Sequence, residues 1–280
     1  MREVAIIGAG ELGGAIACAL AAHDVAREIR LIDDAGQVAA GKALDIAQAA
    51  PIERFATRLS GSTDLASAEG ATLVVIADRF KGGDWQGEEA LALLNQLRPR
   101  TSGALIVWAA AAGREAIARG VRELHVPRER LFGSAPEALA GAVRALVALE
   151  TNSSPGEVAL TVLGIPPARI VVPWNDVTIG GFAATRLLDD PARRRVTARL
   201  VALWPPGPHA LASAAAKVID AISGRTRCLA SCFVAGDDSA GIRARTFAMP
   251  VRLGRSGIAE TGLPDLGVVE RVALDNAMQL

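Results

Sequence analysis

Cysteine is scarce in this chain: Cys18, Cys228 and Cys232 cannot all pair, and none stands at a metal-like spacing from a histidine. That argues against a disulfide framework or a metal centre and leaves buried thiols as the expectation. An excess of either charge is also missing, since Lys+Arg and Asp+Glu number 30 each. Neither nucleic acid nor an anionic membrane surface is therefore expected as a partner. No apolar run approaches the roughly 18 residues of a membrane span. Met1-Arg2-Glu3 leads straight into a strand pattern without the apolar core of a secretory signal, so a soluble, cytoplasmic protein is expected. Internal repeats and low-complexity tracts are absent too. What remains is a 280-residue globular composition, 51% apolar and 21% charged. That is long enough for one large or two ordinary domains.

The stretch that organises the rest is the apolar run Val4-Ala5-Ile6-Ile7, followed by Gly8-Ala9-Gly10-Glu11-Leu12-Gly13 and an Ala/Leu-rich helical pattern. This reads as strand, tight turn, helix. Gly8 permits the turn, Gly10 lets the backbone approach a pyrophosphate, and Gly13 lets helix and strand pack closely. The free N–H groups at the helix start, those of Glu11 and Leu12 among them, face the phosphate charge. A second run, Ile29-Arg30-Leu31-Ile32, ends in Asp33, about twenty residues after the last glycine, where a carboxylate accepts the adenosine ribose hydroxyls. Asp34 follows with no arginine beside it, and two carboxylates repel a 2′-phosphate. NAD is favoured over NADP.

Further along, Gly41 to Pro51 reads as a helix stopped by its proline. Arg58-Leu59-Ser60 is a short strand, and Thr72 to Ala77 and Ala104 to Trp108 are strands of a parallel sheet buried on both faces. Asp78 to Gly87 is loop, Glu88 to Leu97 helix, and Leu131-Phe132-Gly133 strand. After a long helix over about Ala138 to Glu150 the alternation changes. Val158 to Leu163 and Arg169 to Val172 read as neighbouring strands, and Pro191 to Leu203 and His209 to Ser223 as helices. Cys228 to Val234 and Phe247 to Leu253 read as an antiparallel pair, and Asp265 to Met278 as a terminal helix. The fold class is α/β: a doubly wound Rossmann sheet over 1–137, followed by a smaller α+β domain over 138–280.

The order of motifs resembles the lactate/malate dehydrogenase family, and more closely its malate dehydrogenase branch, over nearly the whole chain. The resemblance rests on the glycine turn with Leu31-Ile32-Asp33 and on Gly41-Lys42-Ala43-Leu44-Asp45. It continues through Thr63-Asp64, Arg130-Leu131-Phe132-Gly133, Ser154-Pro155, Leu163-Gly164, Val172-Pro173 and Gly180-Gly181, and ends in Met249-Pro250-Val251-Arg252-Leu253-Gly254-Arg255-Ser256-Gly257-Ile258-Ala259-Glu260. It implies NAD as cofactor, with Ala77 in the turn beside it, and a homo-oligomer formed through the helices after the glycine turn and in the second domain. It also implies hydride transfer from a small 2-hydroxy acid, with a histidine base, an aspartate that orients it, and arginines on the substrate carboxylate and carbonyl.

Carried over by position, those polar groups fall on other residue types. The aspartate falls on Leu139 and the carboxylate-binding arginine on Ala142. The histidine segment falls on Gly164-Ile165-Pro166-Pro167-Ala168, and the loop arginine near Gln86 to Glu88. A leucine for the aspartate makes chemical sense once the histidine is gone, because a buried carboxylate without a partner is costly. Little ordinary malate or lactate dehydrogenase activity is expected. Asp78 adds a negative charge near the cofactor phosphates or the nicotinamide ribose, against NAD binding. His209, in a segment that lines the family's substrate pocket, is the candidate for replacement chemistry, and Arg79, Lys81 and Arg169 are candidate contacts for an anionic ligand. Three functions stay open: an NAD-binding protein without the usual reaction, an oxidoreductase on an atypical substrate, and a non-enzymatic structural or interaction subunit.

Overall fold

The computed structural model describes residues 1–236 and 245–278. The first half runs β1 (Glu3–Ile7), α1 (Glu11–Ala22), β2 (Glu28–Ile32), α2 (Gly36–Glu53), β3 (Arg58–Ser62), β4 (Leu73–Ile76), α3 (Gly87–Arg100), β5 (Leu105–Trp108), α4 (Arg114–Arg122) and β6 (Leu131–Gly133). These six strands pair in parallel in the order β3-β2-β1-β4-β5-β6. Every residue of β4 and β5 is buried, as strands covered by helices on both faces must be. The order reverses between β1 and β4, which opens a crevice outside their C-terminal ends.

The second half contains α5 (Ala135–Thr151), β7 (Val158–Ala159), β8 (Leu163–Ile165), β9 (Arg169–Val171), β10 (Thr178–Ile179), β11 (Phe182–Ala183), α6 (Ala184–Leu187) and α7 (Asp190–Arg199). It ends with α8 (Pro208–Ser223), β12 (Leu229–Ala235), β13 (Thr246–Gly254), β14 (Gly257–Thr261) and α9 (Val268–Met278). β12 pairs antiparallel with β6 at Phe233 and Gly133, and β13, β8 and β9 continue the same sheet. A separate three-stranded sheet has the order β11-β10-β7. The expected boundary at 137/138 lies in the first turn of α5. Ala135 and Ala138 of that helix join the large core, which also takes in residues of α8, β12 and β13. Leu139, Ala140, Val143 and Val147 join a second core with Val162, Trp174 and Val196. Among the described residues no helix is long and apolar enough to cross a membrane.

Several expected elements change in the structure. α2 starts at Gly36 and runs through Pro51 to Glu53, so the proline does not stop it. The helix ends three residues later on Arg54, which is left-handed and whose N–H still donates to the Ala50 carbonyl. The strand expected over Val158 to Leu163 is two strands in different sheets. Between them the backbone is used by side chains: Arg144 donates to the Leu160 carbonyl at 2.8 Å, and the Val162 N–H donates to Ser231 Oγ at 2.9 Å. The helix expected over Pro191 to Leu203 tightens into a 3₁₀ turn over Leu200–Leu203. The terminal helix begins at Val268 rather than Asp265, whose N–H is held by Asp176.

Candidate functional site

The glycine turn between β1 and α1 lies at the crevice. Gly8 has φ +106°, a conformation that a side chain disfavours, and its N–H donates to the Ile32 carbonyl at 2.7 Å. Gly13 packs so tightly that a Cβ there would lie 2.0 Å from the Gly8 carbonyl oxygen. Gly10 is extended and would tolerate a side chain by its dihedrals, so its role is one of space. A Cβ on Gly10 would meet the Asp78 carboxylate, 2.2 Å from Oδ2 and 2.5 Å from Oδ1.

Asp78 thus lies directly over the turn. Its Oδ1 accepts the Gly13 N–H at 3.0 Å, and its backbone carbonyl accepts the Gly10 N–H at 3.0 Å. A carboxylate at this place neutralises the positive end of α1. Glu11 is exposed and Leu12 buried in the first turn of that helix. Ala77, fully buried, donates its N–H to the Ile7 carbonyl. On the other side of the turn, the Lys42 ammonium donates to the Gly10 carbonyl.

Asp33 is 6% exposed. Its Oδ2 accepts the N–H groups of Ala9 at 2.8 Å and Phe80 at 2.9 Å, and its Oδ1 accepts that of Ala35 at 2.9 Å. Asp33 therefore ties the glycine turn to the loop after β4. Beside it, at the ends of β1 and β2, lies a cavity of about 360 Å³ lined by Ile7, Asp33, Asp34, Thr63, Arg79 and Trp85, among others. Arg79 is engaged with Glu89 at 2.9 Å and stacks 4.5 Å over the Trp85 ring. Arg79 Nε and Trp85 Nε1 are shielded from solvent without a hydrogen-bond partner. Asp84, which feels the charge of Asp78, accepts a hydrogen bond from the Ala112 backbone. Burial first, and then the charge of Asp78, raise its carboxyl pKa above the ordinary value of 3.8.

The structure brings Gly8, Gly10, Glu11, Leu12, Gly13, Asp33, Ala77 and Arg79 to one crevice and leaves Lys81, Arg169 and His209 outside the lining of its cavity. Lys81 is exposed on the loop, 5.4 Å from the Phe80 ring. His209 is exposed in the first turn of α8. Arg169 begins β9 and lines a groove of about 620 Å³ with Pro166, Pro167, Arg114, Arg122 and Arg245. Leu139 is fully buried in the second core, and Ala142 is half-buried on α5.

One charged group escaped the sequence reading. Glu137 of α5 is 2% exposed and accepts from the Ser231 N–H at 2.8 Å, Arg144 at 2.8 Å and Lys217 at 2.5 Å. The spacing of Glu137 and Arg144, two turns apart on one helix face, was the available signal. Cys232, fully buried nearby, has its thiol pKa pushed well up by burial, and then by Glu137. That is an inert thiol rather than a reactive one.

A doubly wound sheet with a glycine turn, a carboxylate at the end of β2 and an antiparallel extension beyond β6 defines a dinucleotide-binding protein with an added second layer of structure. The comparisons narrow the class. Residues 2–96 match the family model described as lactate/malate dehydrogenase, NAD binding domain. The malate dehydrogenase of Thioalkalivibrio sulfidiphilus is 31% identical over 99% of this chain and 96% of its own length. The crystal structure of the Salinibacter ruber malate dehydrogenase superposes with a TM-score of 0.87 at 25% identity, covering 98% of this chain and 93% of that one. The Cryptosporidium parvum lactate dehydrogenase superposes with a TM-score of 0.88 at 19% identity, over 99% and 95%. The chain belongs to the lactate/malate dehydrogenase family.

NAD is the cofactor of this family's binding domain. The residues present fit one half of it. Asp33 and the adjoining cavity suit an adenosine. The turn as it stands does not admit the diphosphate, because the Asp78 carboxylate fills the space over Gly10 and holds the Gly13 N–H.

Proposed function

We propose that this protein binds NAD(H) at the crevice and lacks the family's ordinary hydride transfer on malate or lactate. Bound NAD would supply a hydride acceptor, but hydride leaves a 2-hydroxy acid only as its hydroxyl proton is taken by a positioned base. Loss of such a base alone costs roughly 10²–10⁴ in rate. The observation that carries the reading is Leu139: the position at which the resemblance places the base-orienting aspartate is a fully buried leucine packed in an apolar core. Pro166 and Pro167 at the histidine segment carry no titratable group, and Ala142 offers no charge to a substrate carboxylate.

The test pairs binding with turnover. NADH titrated into the protein by calorimetry is expected to bind saturably, and Asp33→Ala to abolish that binding by removing the acceptor at the cavity. Oxaloacetate or pyruvate with NADH is expected to give no change in nicotinamide absorbance above the uncatalysed rate. Turnover with either acid would overturn the loss of activity, and absence of NADH binding would overturn the cofactor reading.

We infer further that the protein is a homo-oligomer. Leu44 and Ile52 stand exposed along α2, as do Val268, Val269 and Val272 close together on α9, and large apolar side chains left exposed in groups mark protein contact surfaces. Light scattering that returns the mass of a single chain would remove this inference.

A further inference from the structure

The first turn of α1 directs its N–H groups at the space over Gly10, and backbone groups so arranged attract whatever anion is nearest. In this chain the nearest anion is its own. Asp78 Oδ1 takes the Gly13 N–H, its carboxylate fills the space that Gly10 leaves by having no side chain, and its backbone carbonyl takes the Gly10 N–H. The loop that carries it is fastened beyond Asp78 as well. The Phe80 N–H donates to Asp33, the Arg79 N–H to the Gly83 carbonyl, and the Arg79 guanidinium pairs with Glu89. The cavity beside Asp33 remains open, and its volume of about 360 Å³ lies within the range of small-ligand pockets.

These observations separate two halves of a dinucleotide. A nucleoside has no charge to set against Asp78 and needs only the cavity. A diphosphate brings its charge to the same first turn, where the Asp78 carboxylate already takes the Gly13 N–H and fills the space over Gly10, and two anions cannot occupy one place. We propose that Asp78 determines which adenine ligand this site accepts: an adenine ribonucleoside enters with Asp78 in place, whereas an adenine 5′-diphosphate, NAD(H) included, binds only after Asp78 leaves the turn. The proposal deepens the NAD(H) reading above and rests on it. It makes Asp78 an internal competitor, and NAD(H) affinity the difference between what the diphosphate gains and what the carboxylate gives up.

The experiment is calorimetric titration of adenosine, ADP-ribose and NADH into the wild-type chain, Asp78→Asn and Asp78→Ser. The asparagine keeps an oxygen acceptor for the Gly13 N–H while removing the charge, so its thermal unfolding reports whether the turn still folds. The expected result is that ADP-ribose and NADH bind ~10-fold or more tightly to both variants than to wild type. Adenosine is expected to bind all three alike, within about twofold. Equal ADP-ribose and NADH affinities across the three proteins, with adenosine bound, would overturn the competitor role and leave NAD(H) binding intact. Tighter adenosine binding in the variants, matching that of the diphosphates, would also overturn it, because the effect would then not depend on phosphate. No binding of any ligand to any folded variant would overturn both readings together.

Discussion

Two carboxylates, Asp78 half-buried and Glu137 buried, show how differently the two halves of this molecule use the same group. Asp78, in the first half, is held by the Gly13 N–H and by its place over a glycine. Glu137, in the second, is held by a strand amide and by two cations, Arg144 from its own helix and Lys217 from α8. Backbone donors at a helix start serve any anion, so a ligand that brings a better one can replace Asp78. Cations placed by two helices and an amide placed by a strand serve only Glu137, and removing it strands three groups at once. The first is an exchangeable contact and the second a structural tie.

The largest effect that could break this comparison is at Glu137. Glu137→Ala is expected to destabilise the fold by about 3 kcal/mol or more in urea titration, since it leaves Arg144 and Lys217 without their carboxylate and Ser231 without an acceptor. A loss below about 1 kcal/mol would mean that water replaces the carboxylate and that the tie is not structural.

A smaller effect sharpens the other side. Gly10→Ala places a Cβ against the Asp78 carboxylate and is expected to cost about 1–2 kcal/mol, as overpacking does. In an Asp78→Gly background most of that cost is expected to vanish, giving a coupling free energy of about 1 kcal/mol in a double-mutant cycle. Additive losses would show that Gly10 is constrained by something other than Asp78.

The smallest effect concerns pH. Asp84 has its pKa raised by burial and by Asp78, so the folded chain holds that proton more tightly than the unfolded chain does. Its contribution to stability is thus unfavourable at neutral pH. The penalty disappears as pH falls through the raised folded value toward the ordinary 3.8. Asp84→Asn is expected to melt higher than wild type at pH 7 and to lose that advantage as the solution is acidified. Glu123 works in the opposite sense. Arg119 and Arg122 hold it down to about 2, so any stability it lends is present above its ordinary 4.5 and lost in acid, and both chains share it. Parallel melting curves at every pH would show that Asp84 is not under this strain.

Much of the first half was legible because its signals are local. The runs Val4 to Ile7 and Thr72 to Ala77 can be buried only as parallel strands, and Gly8, Gly10 and Gly13 followed by Asp33 have one common explanation. The negative charge of Asp78 at the cofactor site was legible from its position after that strand. Its hydrogen bond to Gly13, 65 residues away, was not. Arg79, Lys81, Arg169 and His209 could be chosen as polar residues near the right motifs. Whether each was free could not be read, because Trp85 and Glu89, which occupy Arg79, are placed by the fold of the loop and by the start of α3. The extent of α2 was missed for the opposite reason. A proline near a helix end loses little, so the rule that proline ends a helix gave way to a left-handed cap at Arg54.

By itself the sequence determined the six strands of the first half, the glycine turn, the carboxylate at the end of β2 and the residue types at the positions where the resemblance places the family's catalytic groups. These follow from side-chain chemistry and short spacings, which need no knowledge of distant neighbours. Only the tertiary structure decided that the sheet continues from β6 into β12 and beyond, that Glu137 is shared by two helices and a strand, and that the first anion to reach the dinucleotide turn is the chain's own Asp78. Each of these depends on which backbone donors and charges the closed fold leaves within about 3 Å of one another, a matter that no local pattern encodes.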